Sequence, residues 1–137
     1  MTLVKTLMSK NIKTIPQDKM VMDAVNKLVE LNIGALGITD AQGKLIGIFS
    51  ERDLMKRVVA KGLNPEKTVL QSVMTSPIHT ISENSEIKDA MVKMSDHHIR
   101  HLPVVNERGD FSGMLGIREV ASGLVQVVID NLLEGSS

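Results

Sequence analysis

The residues best placed for chemistry in this 137-residue chain are Ser50-Glu51-Arg52-Asp53, where the apolar run Leu45–Phe49 gives way to a helical pattern. A hydroxyl followed three residues later by a carboxylate, at such a junction, has two readings. It can be a capping box, in which the two side chains bond the free backbone N–H groups and simply start the helix. It can also receive a ligand. The free N–H groups and positive dipole end of a helix N-terminus suit a phosphate. A carboxylate in the first turn can accept from both hydroxyls of a ribose, charge-assisted bonds worth about 1.5–3 kcal/mol each. Gly47 upstream permits close backbone approach. Spacing alone favours the cap, and one hydroxyl can serve both purposes.

His97-His98-Ile99-Arg100-His101 is the other dense polar cluster. These side chains can solvate a helix end and its negative dipole. Arg100 also carries a planar fork that binds phosphate oxygens bidentately. Zinc held between His97 and His101 requires one continuous helix, whereas Ile99–Val105 reads as entry to a strand, so no metal site is expected. The chain has no Cys, which removes thiolate ligands and cysteine nucleophiles. It shows no nucleophile-elbow glycines, no phosphate-cradling P-loop and no paired catalytic carboxylates. A non-enzymatic protein without a catalytic cofactor is expected. The competing possibility is an enzyme built on Ser50, Asp53 and a histidine of the 97–101 cluster.

The elements that position these residues are written twice. Shifting residues 8–54 by 66 onto 74–120 aligns them without a gap, and 12 of 47 positions are identical, among them Met8/Met74, Thr14/Thr80, Ile15/Ile81, Gly47/Gly113 and Arg52/Arg118. Ordinary residue usage gives roughly three by chance. In the first copy Lys13-Thr14-Ile15 forms a brief strand stopped by Pro16. Asp18 then caps a helix bearing Val21, Ala24, Val25, Leu28 and Leu31, which Asn32 closes. Strands at Ala35–Thr39 and Leu45–Phe49 flank the turn Asp40-Ala41-Gln42-Gly43, and a second helix runs from near Ser50 to Gly62. The second copy repeats the order, with Asn84 at the cap, Ile87, Ala90, Met91 and Met94 as the stripe, and a turn at Asn106–Gly109. The pattern is β-α-β-β-α twice, an α+β fold of two pseudo-twofold related motifs packed through their sheets. Residues 1–66 make the first motif and 67–137 the second.

Sixteen basic and sixteen acidic residues cancel, and only two aromatic side chains, both Phe, are present. A phosphate-backbone binder and a base-stacking platform are both disfavoured, so no nucleic-acid partner is expected. No apolar run suits a membrane span and no signal-peptide pattern opens the chain. A cytoplasmic protein without a membrane partner is the expectation. Gly135-Ser136-Ser137 has the composition of an expression remnant and carries no weight. The last helix, about Arg118–Leu133, spreads Val120, Leu124, Val125, Val128, Ile129, Leu132 and Leu133 over more than one stripe and needs a second covering surface. Homodimerisation would supply it; so would folding back over the N-terminal segment.

Ile33-Gly34-Ala35-Leu36, Gly47-Ile48-Phe49-Ser50-Glu51-Arg52-Asp53-Leu54, Ile99-Arg100-His101-Leu102-Pro103-Val104-Val105 and the opening Met74-Thr75-Ser76-Pro77 resemble the signature stretches of CBS domains, over about residues 3–130. The resemblance implies a tandem pair, a Bateman module, that binds an adenosine-containing ligand such as AMP, ADP, ATP, S-adenosylmethionine or NAD in clefts between two sheets. It implies sensing or regulation of a protein partner. By resemblance Asp53 takes the ribose, with Ser50 near ribose or phosphate and Arg52 beside them. Arg100 and His101 point charge at phosphates, with Pro103 following. Ile78, Thr80 and Ile81 line the adenine slot. Thr14, Ile15 and Ala35, with Arg118 and Glu119, form a second cleft. There Gly116-Ile117-Arg118-Glu119 lacks the hydroxyl and carries a longer carboxylate, which makes that cleft the weaker one.

Overall fold

The structure is a computed structural model that describes residues 2–10 and 12–135, leaving Ser136 and Ser137 of the closing tripeptide outside it. The first series of elements is α1 (Val4–Leu7), β1 (Thr14–Pro16), α2 (Val21–Leu31), β2 (Ala35–Thr39), β3 (Leu45–Ser50) and α3 (Glu51–Asp53), which passes directly into a π-helical stretch at Leu54–Val59. A short 3₁₀ turn at Leu70–Ser72 precedes the second series: β4 (Ile81–Ser82), α4 (Ile87–His97), β5 (His101–Val105), β6 (Phe111–Gly116) and α5 (Ile117–Gly135). Each series forms a three-stranded sheet, β1-β2-β3 and β4-β5-β6, parallel in its first pair and antiparallel in its second. The fold is α+β, in the expected element order.

Local chemistry accounts for both hairpins. Asp40 Oδ1 accepts from the N–H groups of Gln42 and Lys44, each at 2.9 Å, and Asn106 Oδ1 accepts from Arg108 and Asp110, each at 3.0 Å. These side chains imitate a backbone turn. The left-handed residue each turn needs is Gly43 (φ 79°) or Gly109 (φ 83°). The helix stripes also behave as spaced: Val21, Ala24 and Leu28 on α2, and Ile87, Ala90 and Met94 on α4, are buried. Met91 is exposed instead.

The expected helix starts are corrected. Asp18 lies in the turn after β1, and the N-cap of α2 is Met20, whose N–H donates to the Asp23 carboxylate at 3.0 Å. Asn84 likewise lies before the helix start. Its N–H donates to Ser82 Oγ at 3.2 Å, and Glu86 is the N-cap of α4. The helices begin only where Val21 and Ile87 must enter the core, and Asp23 reaches back from the first turn to do the capping.

Two compact units result, Lys13–Ile78 and Met1–Ile12 with His79–Ser137. Each unit joins the body of one repeat to the leading segment of the other. Val4 is fully buried in a core with Ile87, Leu102, Leu115 and Val120, and Ser9 exchanges backbone bonds with Met114 of β6 at 2.9 and 3.0 Å. In the other unit Leu70 and Val73 join the core of Ile38, Phe49 and Val58. There Thr75 exchanges backbone bonds with Ile48 of β3 at 2.9 and 3.0 Å.

Folding back over the N-terminal segment covers only the first half of the last helix. Val120 and Leu124, in the first half of α5, pack with Leu7, and Gly123 lies so close to Leu7 that a Cβ there would meet its Cδ1 at 2.2 Å. Val125, Val128, Ile129, Leu132 and Leu133 stay exposed. No helix among the described residues is long and apolar enough to cross a membrane.

Candidate functional site

Strand β3 ends at Ser50, and the chain turns at once into α3. Ser50 Oγ accepts from the Asp53 N–H at 3.3 Å and donates to Asp53 Oδ2 at 3.1 Å, while the Ser50 N–H donates to the same oxygen at 2.9 Å. The capping box is therefore formed. It does not use the whole carboxylate. Asp53 Oδ1 accepts from Thr75 Oγ1 at 2.9 Å and faces Arg57 Nε at 3.6 Å. Asp53 is 7% exposed, the one buried charged residue among those described. Burying a carboxylate is costly unless donors satisfy it, and here three different side chains surround it. An exposed cap would have needed none of this enclosure.

The π-helical stretch helps to bring Arg57 in. The Ala60 N–H donates to Met55 O at 2.9 Å, a five-residue step that widens the turn, and Arg57 Nη1 donates to Met74 O at 2.8 Å while its Nε faces Asp53. Such stretches are rare and concentrate at functional sites. Thr75 arrives on the Met74–Thr75 segment beside β3. Gly47 permits that approach: a Cβ at this position would meet Met74 Sδ at 2.6 Å and Thr75 O at 3.1 Å. Neither Arg57 nor Thr75 was singled out from sequence. Arg57 stands four residues after Asp53, the spacing of a helical ion pair, and Thr75 falls in the opening Met74-Thr75-Ser76-Pro77.

The other candidate residues fall into two groups, one per unit. Ser50, exposed Arg52, Asp53 and half-buried Ile78 share the Lys13–Ile78 unit with Thr14, Ile15 and Ala35. Ala35 stands directly across from Ser50 in the β2–β3 register, so it adjoins the Asp53 site. Thr80, Ile81, Arg100, His101 and Pro103 belong to the second unit with Arg118 and Glu119. There His101 stands across from Gly116, and the Ile117 N–H donates to Arg100 O at 2.9 Å, which sets both residues at the N-terminus of α5. Glu119 fills the room left by the missing hydroxyl: a Cβ on Gly116 would meet its Oε2 at 3.0 Å.

The histidine cluster is divided by structure. Helix α4 ends at His97, His98 takes a left-handed conformation (φ 54°) and His101 opens β5. The His97 ring stacks on His79, centroids 3.8 Å apart and 17° from parallel. Desolvation lowers the His79 pKa below the ordinary imidazole value, and the charges of His97 and Lys93 lower it further. Among the described residues no group of three or more His, Asp or Glu side chains converges to hold a metal ion.

The CBS domain sequence profile matches residues 4–60 and again 70–126, stretches that start 66 residues apart, and the chain belongs to the CBS domain family as a tandem pair. An Arabidopsis thaliana protein, CBSCBSPB2, is 37% identical over 115 residues, covering 83% of this chain and 21% of the relative. A Methanopyrus kandleri protein is 34% identical over 94 residues, covering 69% of this chain and 48% of the relative. The chain thus spans half or less of the length of these two proteins. Among solved structures, a Burkholderia ambifaria protein with CBS domains superposes with a TM-score of 0.85 at 26% identity, covering 91% of this chain and 95% of that one. The CBS domain pair of protein MJ0100, in complex with 5′-methylthioadenosine and S-adenosyl-L-methionine, superposes with a TM-score of 0.79 at 30% identity, covering 88% and 98%. CBS pairs are regulatory modules.

Proposed function

We propose that this chain is a regulatory module that binds an adenosine-containing ligand, with Asp53 as the group that accepts the ribose hydroxyls. The observation that carries the reading is the enclosed Asp53 carboxylate, which takes hydroxyl donors on both of its oxygens, from Ser50 and Thr75. Hydroxyls are what a ribose diol offers. Ala35, across from Ser50, presents only a methyl group there. The adenosine ligands of the MJ0100 pair support the choice of ligand class. Within that class AMP, ADP, ATP and NAD are proposed. Binding acts by population shift, favouring whichever arrangement holds the ligand better, and it is passed to a protein partner from a cytoplasmic homodimer. No step of this reading requires catalysis.

The formed capping box favours a second reading, a ligand-free interaction module in which Ser50 and Asp53 only start a helix. Thermal melting and titration calorimetry with AMP, ATP, NAD and S-adenosylmethionine separate the two. On the first reading a ligand at one hundred times its Kd stabilises the protein by about 2.7 kcal/mol. Asp53→Asn keeps the size of the side chain but not its charge, and should remove most of that shift. Absence of heat with every ligand at millimolar concentration refutes the first reading. A full shift retained in Asp53→Asn refutes the site.

A further inference from the structure

Asp53 Oδ1, half of the proposed diol acceptor, already holds a hydroxyl: Thr75 Oγ1 donates to it at 2.9 Å. We propose that Thr75 is a built-in competitor for the Asp53 site, and that an adenosine ligand must displace its hydroxyl and so loosen the segment that leads to the other unit. The proposal rests on the reading of Asp53 as the ribose acceptor.

The argument begins with the capacity of the carboxylate. It offers about four acceptor positions. Oδ2 is taken by the N–H and the hydroxyl of Ser50 at 2.9 and 3.1 Å. Oδ1 is taken by Thr75 at 2.9 Å and faced by Arg57 at 3.6 Å. The Ser50 bonds start a helix and cannot be surrendered without fraying it. The Thr75 bond starts nothing, so it is the one a diol replaces.

Thr75 is also held where its release has consequences. Its N–H and carbonyl pair with Ile48 at 2.9 and 3.0 Å, the preceding Met74 carbonyl accepts from Arg57 at 2.8 Å, and Ser76 Oγ donates to Ile46 O at 2.9 Å. Arg57 therefore touches both the carboxylate and the backbone of this segment. Three residues after Thr75 the first unit ends at Ile78, and His79 begins the return to the second. A ligand that takes Oδ1 removes one side-chain anchor of this segment and weakens a second, while the ladder to Ile48 remains. A loosened segment, not an unfolded one, is the expected state.

The test uses the full chain with AMP and S-adenosylmethionine as probes, by titration calorimetry and by amide hydrogen exchange. Thr75→Val removes the hydroxyl and keeps the shape, and should tighten binding about tenfold, equivalent to about 1.4 kcal/mol. Thr75→Ser keeps the hydroxyl and should bind as the unaltered protein does. Exchange of the amides in residues 73–78 should rise in the unaltered protein when either probe saturates it, a readout that does not need the valine variant to fold. Weaker or equal binding by Thr75→Val, or unchanged exchange at 73–78 under saturation, overturns the competitor while leaving Asp53 as the acceptor. Failure of the unaltered protein and of Thr75→Val to bind either probe overturns the reading of Asp53 and this proposal together.

Discussion

A single carboxylate distinguishes the two halves of this chain. Asp53 reaches back to its own N-cap and still has Oδ1 for Thr75 and Arg57, whereas Glu119 lies over Gly116, where no hydroxyl exists. One methylene and one missing hydroxyl thus set apart sites that otherwise share a register. Histidine chemistry at this scale is also local. His79 stacks on His97, and desolvation, then the charges of His97 and Lys93, hold its pKa down. A base with a depressed folded-state pKa takes its proton more readily in the unfolded chain, so its contribution to stability is complete above pH of about 6.5 and is lost as the pH falls through the lowered value. His79→Gln should therefore flatten the dependence of Tm on pH between about pH 7 and 5. Superimposable profiles for the two proteins would count against the assignment. The 66-residue repeat already marked Ser50 and Asp53 as a matched but altered pair. Thr75 was hidden because its partner lies 22 positions back in the chain.

At the scale of elements, the informative feature is the exchange of leading segments. Met74–Thr75 runs beside β3 and Met8–Ser9 beside β6, and each places a methionine sulfur where a Cβ on Gly47 or Gly113 would be, 2.6 Å away in both cases. These glycines answer a close approach and not a turn. Gly47→Ala drives a Cβ toward the Thr75 carbonyl as well, at 3.1 Å, which a flexible side chain cannot relieve alone. It should cost about 1–3 kcal/mol in urea unfolding, and it should weaken any ligand bound at Asp53 by shifting Thr75. An unfolding midpoint within error of the unaltered protein would show that the segment yields freely. The helices, strands and hairpins themselves were legible from periodicity and turn chemistry, as Gly43 and Gly109 show. The π-helical stretch was not, since Leu54, Met55, Val58 and Val59 carry an ordinary helical pattern.

For the whole molecule, α5 poses the main question. Its first half packs into the core beside Leu7 and Ile87, and its second half shows Val125, Val128, Ile129, Leu132 and Leu133 to solvent. Burying one such side chain contributes about 1.5–3 kcal/mol, so a row of them is costly to leave wet. Association of two chains through this row is the arrangement proposed above. Ile129→Glu with Leu132→Glu should convert a dimer to a monomer in light scattering, leaving the melting transition of the folded chain in place. A monomer before substitution would remove the homodimer from the functional reading, though not the ligand.

Repetition, alternation and stripe spacing are properties of the chain read in order, and they determined the two β-α-β-β-α series and marked the pair Ser50 and Asp53, while the signature stretches carried the resemblance to the family. Which segment completes which unit was decided only in three dimensions. Backbone N–H and C=O groups are the same in every residue but proline, so the sequence carries no direct mark showing that Thr75 pairs with Ile48, or Ser9 with Met114. The enclosure of Asp53, and the hydroxyl already resting on it, follow from that pairing.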